Sequence, residues 1–348
     1  MTRQSDVRFR IMRNGADYGV LYPAEGSRPR ISMRDTDAVK TSLSGTFLPP
    51  ERPVDWLADE IRPEVIIDGT VFSLGVYLPV NVSENDSGVL KTINITANDR
   101  CWLVRDHKTE TILHLAAGTN YVSAVVSLLA DSGISAINAT ETSAVLTESR
   151  EDWDVGTSNL DIVNELLSEI NYGPVWFDNS GTAVIRPVYA PTAENIRHVL
   201  DKSNIQSLML PGLRRDTSII SSPNVFVCIC SNPDKAEPMI ATAENTNPQS
   251  PLSIARRGRR ITKVVQINNV ASQEALQTFA NRQVSDSMIA GETYTVKTCL
   301  LPGYGVGEVT ALKYGDLMTI TKETSWSMEL GVGGVMTHTL ERMVMSLG

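Results

Sequence analysis

The sequence predicts a β-rich α+β fold: two β-barrel-like domains, 1–112 and 196–348, around an α+β insertion at 113–195. Three observations predict it. Apolar and polar residues alternate with period two through both outer stretches. Turn dipeptides such as Asn14-Gly15 and Asp68-Gly69 punctuate the alternation. Between the outer stretches the apolar period switches to that of a helix, twice.

Val7, Phe9 and Ile11 alternate with Arg8 and Arg10, which marks a half-buried strand. Asn14-Gly15 follows as a turn, because both residues tolerate positive φ. Further strands fit 19–22, 30–33 and 42–47, before Pro49, Pro50 and Pro53 interrupt the pattern. Residues 64–67, the Asp68-Gly69 turn and 71–80 read as a hairpin, and Ile93, Ile95 and Ala97 as another strand. Closing such strands into a barrel or sandwich hides their edges.

The insertion begins with a helix that Thr119 can cap, its apolar face carrying Val122, Val125, Val126 and Leu129 until Gly133 ends it. Ser158 can cap a second helix, with Asp161 in the first turn and a stripe of Leu160, Val163, Leu167 and Ile170. Gly173-Pro174 stops it. A hairpin of 175–177 and 182–186 then turns across Asp178-Asn179-Ser180-Gly181. Each helix is too short to persist alone in water, so packing on the hairpin must hold it.

The second outer stretch offers strands at 225–229, 261–267, 294–300 and 317–321. One helix, 272–287, interrupts them, capped by Ser272 with Ala275, Leu276, Phe279 and Val284 roughly on one face. Residues 231–251, rich in Asn, Pro and Ser, read as a long surface loop. No exact repeat is visible, but two β-rich stretches around one insert suggest a distant duplication.

The 348 residues, 42% hydrophobic and 20% charged, suffice for two or three domains with a sizeable core. A net charge of −9 argues against a general nucleic-acid binder. Cys101, Cys228, Cys230 and Cys299 lack zinc spacing and read as free thiols of a reducing compartment. No segment approaches the roughly 18 apolar residues of a membrane span, and no signal-peptide core follows Met1. The chain is expected to be made and kept in the cytosol unless it leaves with a larger particle.

Reaction chemistry is not legible. Gly303-Tyr304-Gly305-Val306-Gly307 lacks the following helix that phosphate cradling needs and reads as a flexible hairpin loop. His107, His114, His198 and His338 have no second His or Cys at ligand spacing. Asp106-His107 would face opposite sides of a strand. Neither a nucleophile elbow nor a zinc-protease helix occurs, although two carboxylates on separate elements would escape a sequence reading. Trp56, Trp102, Trp153, Trp176 and Trp326 could line a sugar site but fit core packing better, with Trp102 and Trp326 in strand-like contexts. The one basic cluster is Arg256, Arg257, Arg259 and Arg260. It reads first as a solvated stretch leading into a strand, then as a contact for an acidic protein neighbour, and last as a nucleic-acid patch. No cofactor and no metal are expected.

Several runs together resemble the baseplate hub, or tail-tip hub, family of tailed phages and prophages. They are Arg62-Pro63-Glu64 through Gly75-Val76-Tyr77, Ala117-Gly118-Thr119 through Val125-Val126, Leu160-Asp161 through Leu166-Leu167 and Asn171-Tyr172 through Phe177-Asp178. Ser231-Asn232-Pro233, Asn247-Pro248-Gln249-Ser250-Pro251 and Glu323-Thr324-Ser325-Trp326-Ser327-Met328 follow, so the resemblance spans about 60–348.

The resemblance implies a structural protein of the virion tail, assembled in the host cytoplasm, and not an enzyme. It implies two β-barrel-like tube domains per copy and a homotrimer ring of pseudo-sixfold symmetry. That ring would join the tail-tube or distal tail protein to a central spike or tail fibre protein. Its channel would pass the tape measure and then DNA in transit. Strands at 64–80 and 261–267 are expected in the tube wall, and helices at 119–133 and 158–171 outside it. The alternatives are a carbohydrate-binding tip module and, behind it, a cell-wall hydrolase.

Overall fold

The computed structural model describes residues 3–188, 193–217, 222–230, 238–267, 269–289 and 292–342. The chain opens with the hairpin β1 (Ser5–Arg13) and β2 (Ala16–Leu21). Asn14 and Gly15 make the turn, both at positive φ, as their small or absent side chains allow. β3 (Arg30–Arg34) and β4 (Thr41–Phe47) come next. β5 (Glu60–Ile67) and β6 (Thr70–Ser73) turn at Asp68-Gly69. The expected second arm, 71–80, is broken: β6 stops at Ser73, and β7 (Tyr77–Asp86) begins a separate hairpin with β8 (Lys91–Asp99).

A short helix, α1 (Cys101–Asp106), follows where no helix is legible in the sequence, and it carries Trp102. The insertion contains α2 (Tyr121–Asp131), β9 (Ile137–Ala139), α3 (Asn159–Glu169), β10 (Trp176–Phe177) and β11 (Ala183–Ile185). The cap of α2 is Asn120 rather than Thr119, its side chain accepting from the Ser123 N–H at 3.0 Å. Ser158 does cap α3. The hairpin β10–β11 gains a parallel third strand, β9. Val125, Leu129, Leu160, Val163 and Leu167 are fully buried between helices and sheet, with Cys101 and Val104 of α1 in the same core; Ile170 is only half-buried.

The second outer stretch contains β12 (Ile196–Asp201), β13 (Met209–Thr217), β14 (Val225–Cys230) and β15 (Met239–Glu244). Then come α4 (Ile254–Arg257), β16 (Thr262–Ile267), α5 (Gln273–Ile289), β17 (Glu292–Cys299), β18 (Val309–Tyr314), β19 (Leu317–Glu329) and β20 (Val335–Arg342). The loop expected over 231–251 is in part a strand: β15 lies inside it and pairs with β14. Residues 231–237, with Ser231-Asn232-Pro233, lie outside the described residues. β14, β15 and β16 form their own small sheet, so 261–267 does not join the main one. Cys228 and Cys230 share its inner face with Leu276, Ala280 and Val284 of α5. Ser272 caps that helix, accepting from the Ala275 N–H at 3.1 Å.

The two outer stretches do not make two separate sheets. Among the described residues they form one 14-stranded sheet with open ends, ordered β13-β17-β20-β19-β3-β4-β8-β7-β5-β1-β2, with β6, β12 and β18 as side branches. The halves join where β19 pairs antiparallel with β3, from Ser325 opposite Arg34 to Glu329 opposite Arg30. Trp326 and Met328 from one half, with Met33 and Ile31 from the other, are buried across that seam. Each contributes about 1.5–3 kcal/mol by leaving water.

The order also repeats itself. β13-β17-β20-β19 is matched, strand for strand, by β3-β4-β8-β7. Each half ends in a hairpin with one bulge, between Pro79 and Asn81 in β7 and between Glu323 and Ser325 in β19. Beyond the bulge the registers coincide. Val82 faces Ile95 as Trp326 faces His338, and Glu84 faces Ile93 as Met328 faces Met336. A bulge inserts one residue and flips the side chains beyond it, so a shared position fixes a shared pattern of inward residues.

Candidate functional site

The structure concentrates its unusual features at three places: the seam between the halves, the acidic insertion, and the exposed strand edges and arginines.

At the seam, the glycine-rich run is anchored rather than free. Tyr304 and Val306 are buried, and the Gly305 carbonyl accepts from the Trp326 indole N–H at 3.1 Å. Tyr304 stacks on His198 with ring centroids 3.7 Å apart and leans on His338 at 4.8 Å. Each histidine holds a glutamate: His198 Nε2 lies 2.5 Å from Glu308, and His338 Nδ1 lies 2.6 Å from Glu323. Burial works to raise Glu308, but the His198 hydrogen bond, the Gly305 backbone N–H and the charges of His198 and Arg197 together outweigh it and hold this carboxyl below its usual range. Glu323 is more deeply enclosed, and there burial prevails over His338 and raises the carboxyl. Burial, with the charges of Glu323 and Glu308 behind it, also pushes the Tyr304 hydroxyl up, so it stays protonated. Glu323 and His338 have 0% exposure. That pair is closed to solvent, whereas the His198 side chain is 22% exposed. The partners in this network are far apart in sequence, which hides the cluster from a spacing search. Glu323 and His338 meet diagonally across the β19–β20 hairpin, Glu323 opposite Leu340 and His338 opposite Trp326, and only the ladder register brings them together.

The insertion carries the charge. Residues 113–195 hold the full formal net of −9, with only Arg150 and Arg186 as cations, so the rest of the chain balances. Arg150 is buried and binds Glu169 at 2.6 Å, Asp152 at 2.6 Å and Glu165 at 3.2 Å. The module is tied to the frame by Arg100, which bonds Glu60 and reaches the Gly181 carbonyl at 3.2 Å. Ser73 Oγ donates to the Asn179 carbonyl at 2.7 Å from the other side.

The arginine cluster is not one uniform patch. Ser253 caps the single turn of α4, and Gly258 takes positive φ to end it. Arg257 donates to the Ser222 carbonyl at 2.6 Å, and Arg260 pairs with Glu244 at 2.5 Å. Arg256 and Arg259 are exposed. A shallow depression of about 560 Å³ lies elsewhere, lined by Arg34, Asp37, Lys40, Asn98 and Arg105 among others. Among the described residues no three His, Cys, Asp or Glu side chains are grouped to hold a metal. The tryptophans do not converge on a groove: Trp153 is buried beside Glu165, Trp326 lies in the seam, and Trp56 and Trp176 pack against the main core. Among the described residues no helix is long and apolar enough to cross a membrane.

Several strands of the main sheet pair on one side only among the described residues, β2, β6 and β12 as well as β7 over most of its length and β13. β7 meets β5 only at Tyr77, opposite Ile61, and from Leu78 to Asp86 pairs with β8 alone. β13 pairs with β17 alone.

No family model and no curated protein matches the chain in sequence. Solved structures do match it along nearly its whole length. The tail protein from Neisseria meningitidis MC58 superposes with a TM-score of 0.66 at 13% identity, covering 97% of each chain. The prophage MuSo2 tail protein from Shewanella oneidensis gives 0.66 at 11% identity, covering 96% of this chain and 98% of that one. The fold is that of prophage tail proteins. The prophage tail protein gp18 from Listeria monocytogenes EGD-e shares it as well, with a TM-score of 0.60 at 12% identity and 98% and 96% coverage. At such identities the shared tail-protein fold is carried by register and burial, not by individual residues.

Proposed function

We propose that this chain is a structural part of a phage or prophage tail tip: a hub ring joining the tail tube to a central spike or tip. The carrying observation is the duplicated four-strand unit, set on a tail-protein fold. One copy supplies two equivalent wall segments, so three copies supply six. Such a homotrimer matches sixfold symmetry on one side and threefold on the other. A ring built from one repeated contact closes on itself and stays finite.

In this reading each duplicated unit curves into a barrel-like tube domain, and the rings stack over a channel for the tape measure and then DNA. The acidic insertion, with α2 and α3, lies on the outside. Arg256, Arg257, Arg259 and Arg260 face an acidic protein neighbour, such as the tail-tube, distal tail, spike or tail fibre protein. The chain works by geometry, without catalysis or cofactor, and is assembled in the host cytoplasm into the virion tail. The enclosure of the His338–Glu323 pair supports a non-enzymatic role.

Immunogold labelling of purified particles tests this. Gold at the tail tip, with cryo-microscopy density for a ring of this fold at the tube end, is the expected result. Label along the tail shaft or on the capsid, or none on intact particles, overturns it.

A further inference from the structure

The depression of about 560 Å³ beside Arg34 and Arg105 has a polar floor. Ser32 of β3, Ser42 of β4 and Asn98 of β8 lie directly opposite one another across three strands. They alternate with Ile31, Leu43 and Ala97, which are buried, so their side chains leave the sheet on the other face. The β3–β4 turn brings Asp37 and Lys40 to the same space, and α1 brings Arg105.

The charge there is not balanced from within. Lys40 is 4% exposed. Its ammonium donates to the Asp35 carbonyl at 2.6 Å, which uses one of three N–H groups. Two nearby carboxylates are engaged elsewhere. Asp35 binds Lys322 at 2.6 Å, and Asp99 accepts from the Thr41 and Cys101 backbone N–H groups at 2.7 and 2.9 Å. An enclosed ammonium without an ion-pair partner is costly, and burial lowers the Lys40 pKa more than the acids around it raise it. Arg34 and Arg105 are exposed, and among the described residues their guanidinium groups make no hydrogen bond or ion pair; that of Arg105 lies 5.5 Å over the Trp102 ring. Three cations and one carboxylate, Asp37, therefore line one cleft.

We infer that this cleft binds a phosphate group, free or as a monoester. The inference goes beyond the tail-tip reading and does not depend on it. Three cations against Asp37 leave two positive charges, and a phosphate monoester carries a charge of about −1.5 to −2 at neutral pH. Guanidinium forks match phosphate oxygens two at a time, and an ammonium adds a point charge. The floor hydroxyls and the Asn98 amide can donate the remaining hydrogen bonds. A lone carboxylate would leave one of the two charges unmatched.

The duplicated unit supplies an internal comparison. Ile95 and His338 occupy equivalent positions, opposite Val82 and Trp326. Three residues on, Asn98 is equivalent to Glu341, and along the ladders Ser42 is equivalent to Thr293 and Ser32 to Asp216. The second unit has carboxylates at two positions where the first has neutral donors. The sheet itself does not impose the uncharged floor, and carboxylates there would repel a phosphate.

Calorimetric titration of the full chain with inorganic phosphate tests the site, at constant ionic strength and above the second phosphate pKa of about 6. Glycerol phosphate represents a monoester, and acetate a monoanion. Saturable phosphate binding at least about tenfold tighter than acetate binding is the expected result. Arg34→Gln with Arg105→Gln alters two exposed side chains, so the chain should fold as wild type does and bind phosphate at least about tenfold more weakly. Ser32→Asp with Asn98→Glu copies the carboxylates of the other unit and should abolish binding. Glycerol phosphate binding as tightly as phosphate assigns an esterified group to the cleft, and much weaker binding assigns the free ion. Acetate binding as tightly as phosphate, no saturation below about 10 mM phosphate, or wild-type binding by the double arginine variant overturns the site.

Discussion

Nδ1 of His338 lies 2.6 Å from Oε1 of Glu323, across the hairpin at the point where β19 bulges and changes partner from β18 to β3. The Thr298 hydroxyl donates to the Cys299 carbonyl at 2.7 Å, so it accepts from His338 Nε2–H at 3.0 Å. That fixes the tautomer. One proton then lies between Nδ1 and Oε1, and Glu323 Oε2 has no partner. The bulge frees the ladder to branch, and the His–Glu pair fills the gap with a hydrogen bond that an apolar side chain could not make.

Glu323→Gln should therefore be tolerated, because the amide N–H can donate to Nδ1. Burial raises the Glu323 carboxyl in the folded chain. The folded state then holds its proton more tightly than the unfolded one, and stability falls as pH rises from the unfolded value near 4.3 through the folded value. Glu323→Gln should remove that slope and change neutral stability by less than about 1 kcal/mol. Glu323→Ala leaves Nδ1 unpaired beside a cavity and should cost about 2–4 kcal/mol. Urea titrations between pH 4 and 8 read both; an unchanged slope in Glu323→Gln would contradict the assignment.

The insertion depends on a buried cation. Arg150→Met leaves Glu169 enclosed without its guanidinium, with only the Tyr121 hydroxyl donating to it at 2.8 Å. An uncompensated buried charge costs about 3–5 kcal/mol. Arg150→Met with Glu169→Leu should recover most of that loss. Melting curves of the three chains decide it, and a double variant as unstable as the single one would argue for shape over charge.

Much of the frame was legible because alternation with turn chemistry is local: β1, β3, β4, β8 and β14 each show their buried face in the sequence itself. What joined them was not. β19 finds β3 nearly 300 residues away through Trp326 and Met33, and no spacing rule carries that information. The same limit hid the single sheet that runs through both outer stretches. Thr119 and Asn120 are both good caps, and only the backbone geometry picks Asn120. Helix α1 escaped because one and a half turns give the period too little length to register. The arginine cluster was visible by composition, whereas the engagement of Arg257 and Arg260 needed Ser222 and Glu244 from neighbouring segments.

Arg256 and Arg259 give a separable test of the partner surface. Both are exposed, so Arg256→Glu with Arg259→Glu should leave the melting temperature within about 1 °C, as surface changes generally do. Incorporation of the variant into particles should fall, read by immunoblot of purified tails. Full incorporation would remove the cluster from the partner contact.

Arg13 clamps Asp59 with two hydrogen bonds, 2.8 and 2.6 Å, while lying 3.7 Å over the Tyr18 ring. The guanidinium holds the Asp59 carboxyl below its usual range. That contribution is complete above the unfolded value near 3.9 and is lost as pH falls through the lower folded value. Asp59→Asn should be less stable than wild type at pH 7, with the difference closing toward pH 2. Paired thermal melts across that window measure it, and a gap that persists at low pH would assign the effect to packing.

Gly334 tests whether the β19–β20 turn governs the seam. A Cβ there would meet the Glu329 carbonyl oxygen at 2.2 Å, a backbone atom with no rotamer to give way. Glu329 is the last β19 residue paired to β3, opposite Arg30, and its carboxylate binds that arginine. Gly334→Ala must push Glu329 outward, opening the end of the seam and loosening the Leu330 N–H from the Pro29 carbonyl, now 2.7 Å away. The expected cost is about 2–4 kcal/mol, the scale of other substitutions that break backbone contacts in a core. Gly333→Ala, next door, meets nothing within 4 Å and carries only its positive-φ strain, about 1 kcal/mol. Hydrogen exchange separates the two: Gly334→Ala should lose protection at the Ser325–Glu329 end of β19 and in β3, whereas Gly333→Ala should not. Equal loss in both variants would place the constraint in turn conformation rather than in the approach of Gly334 to Glu329.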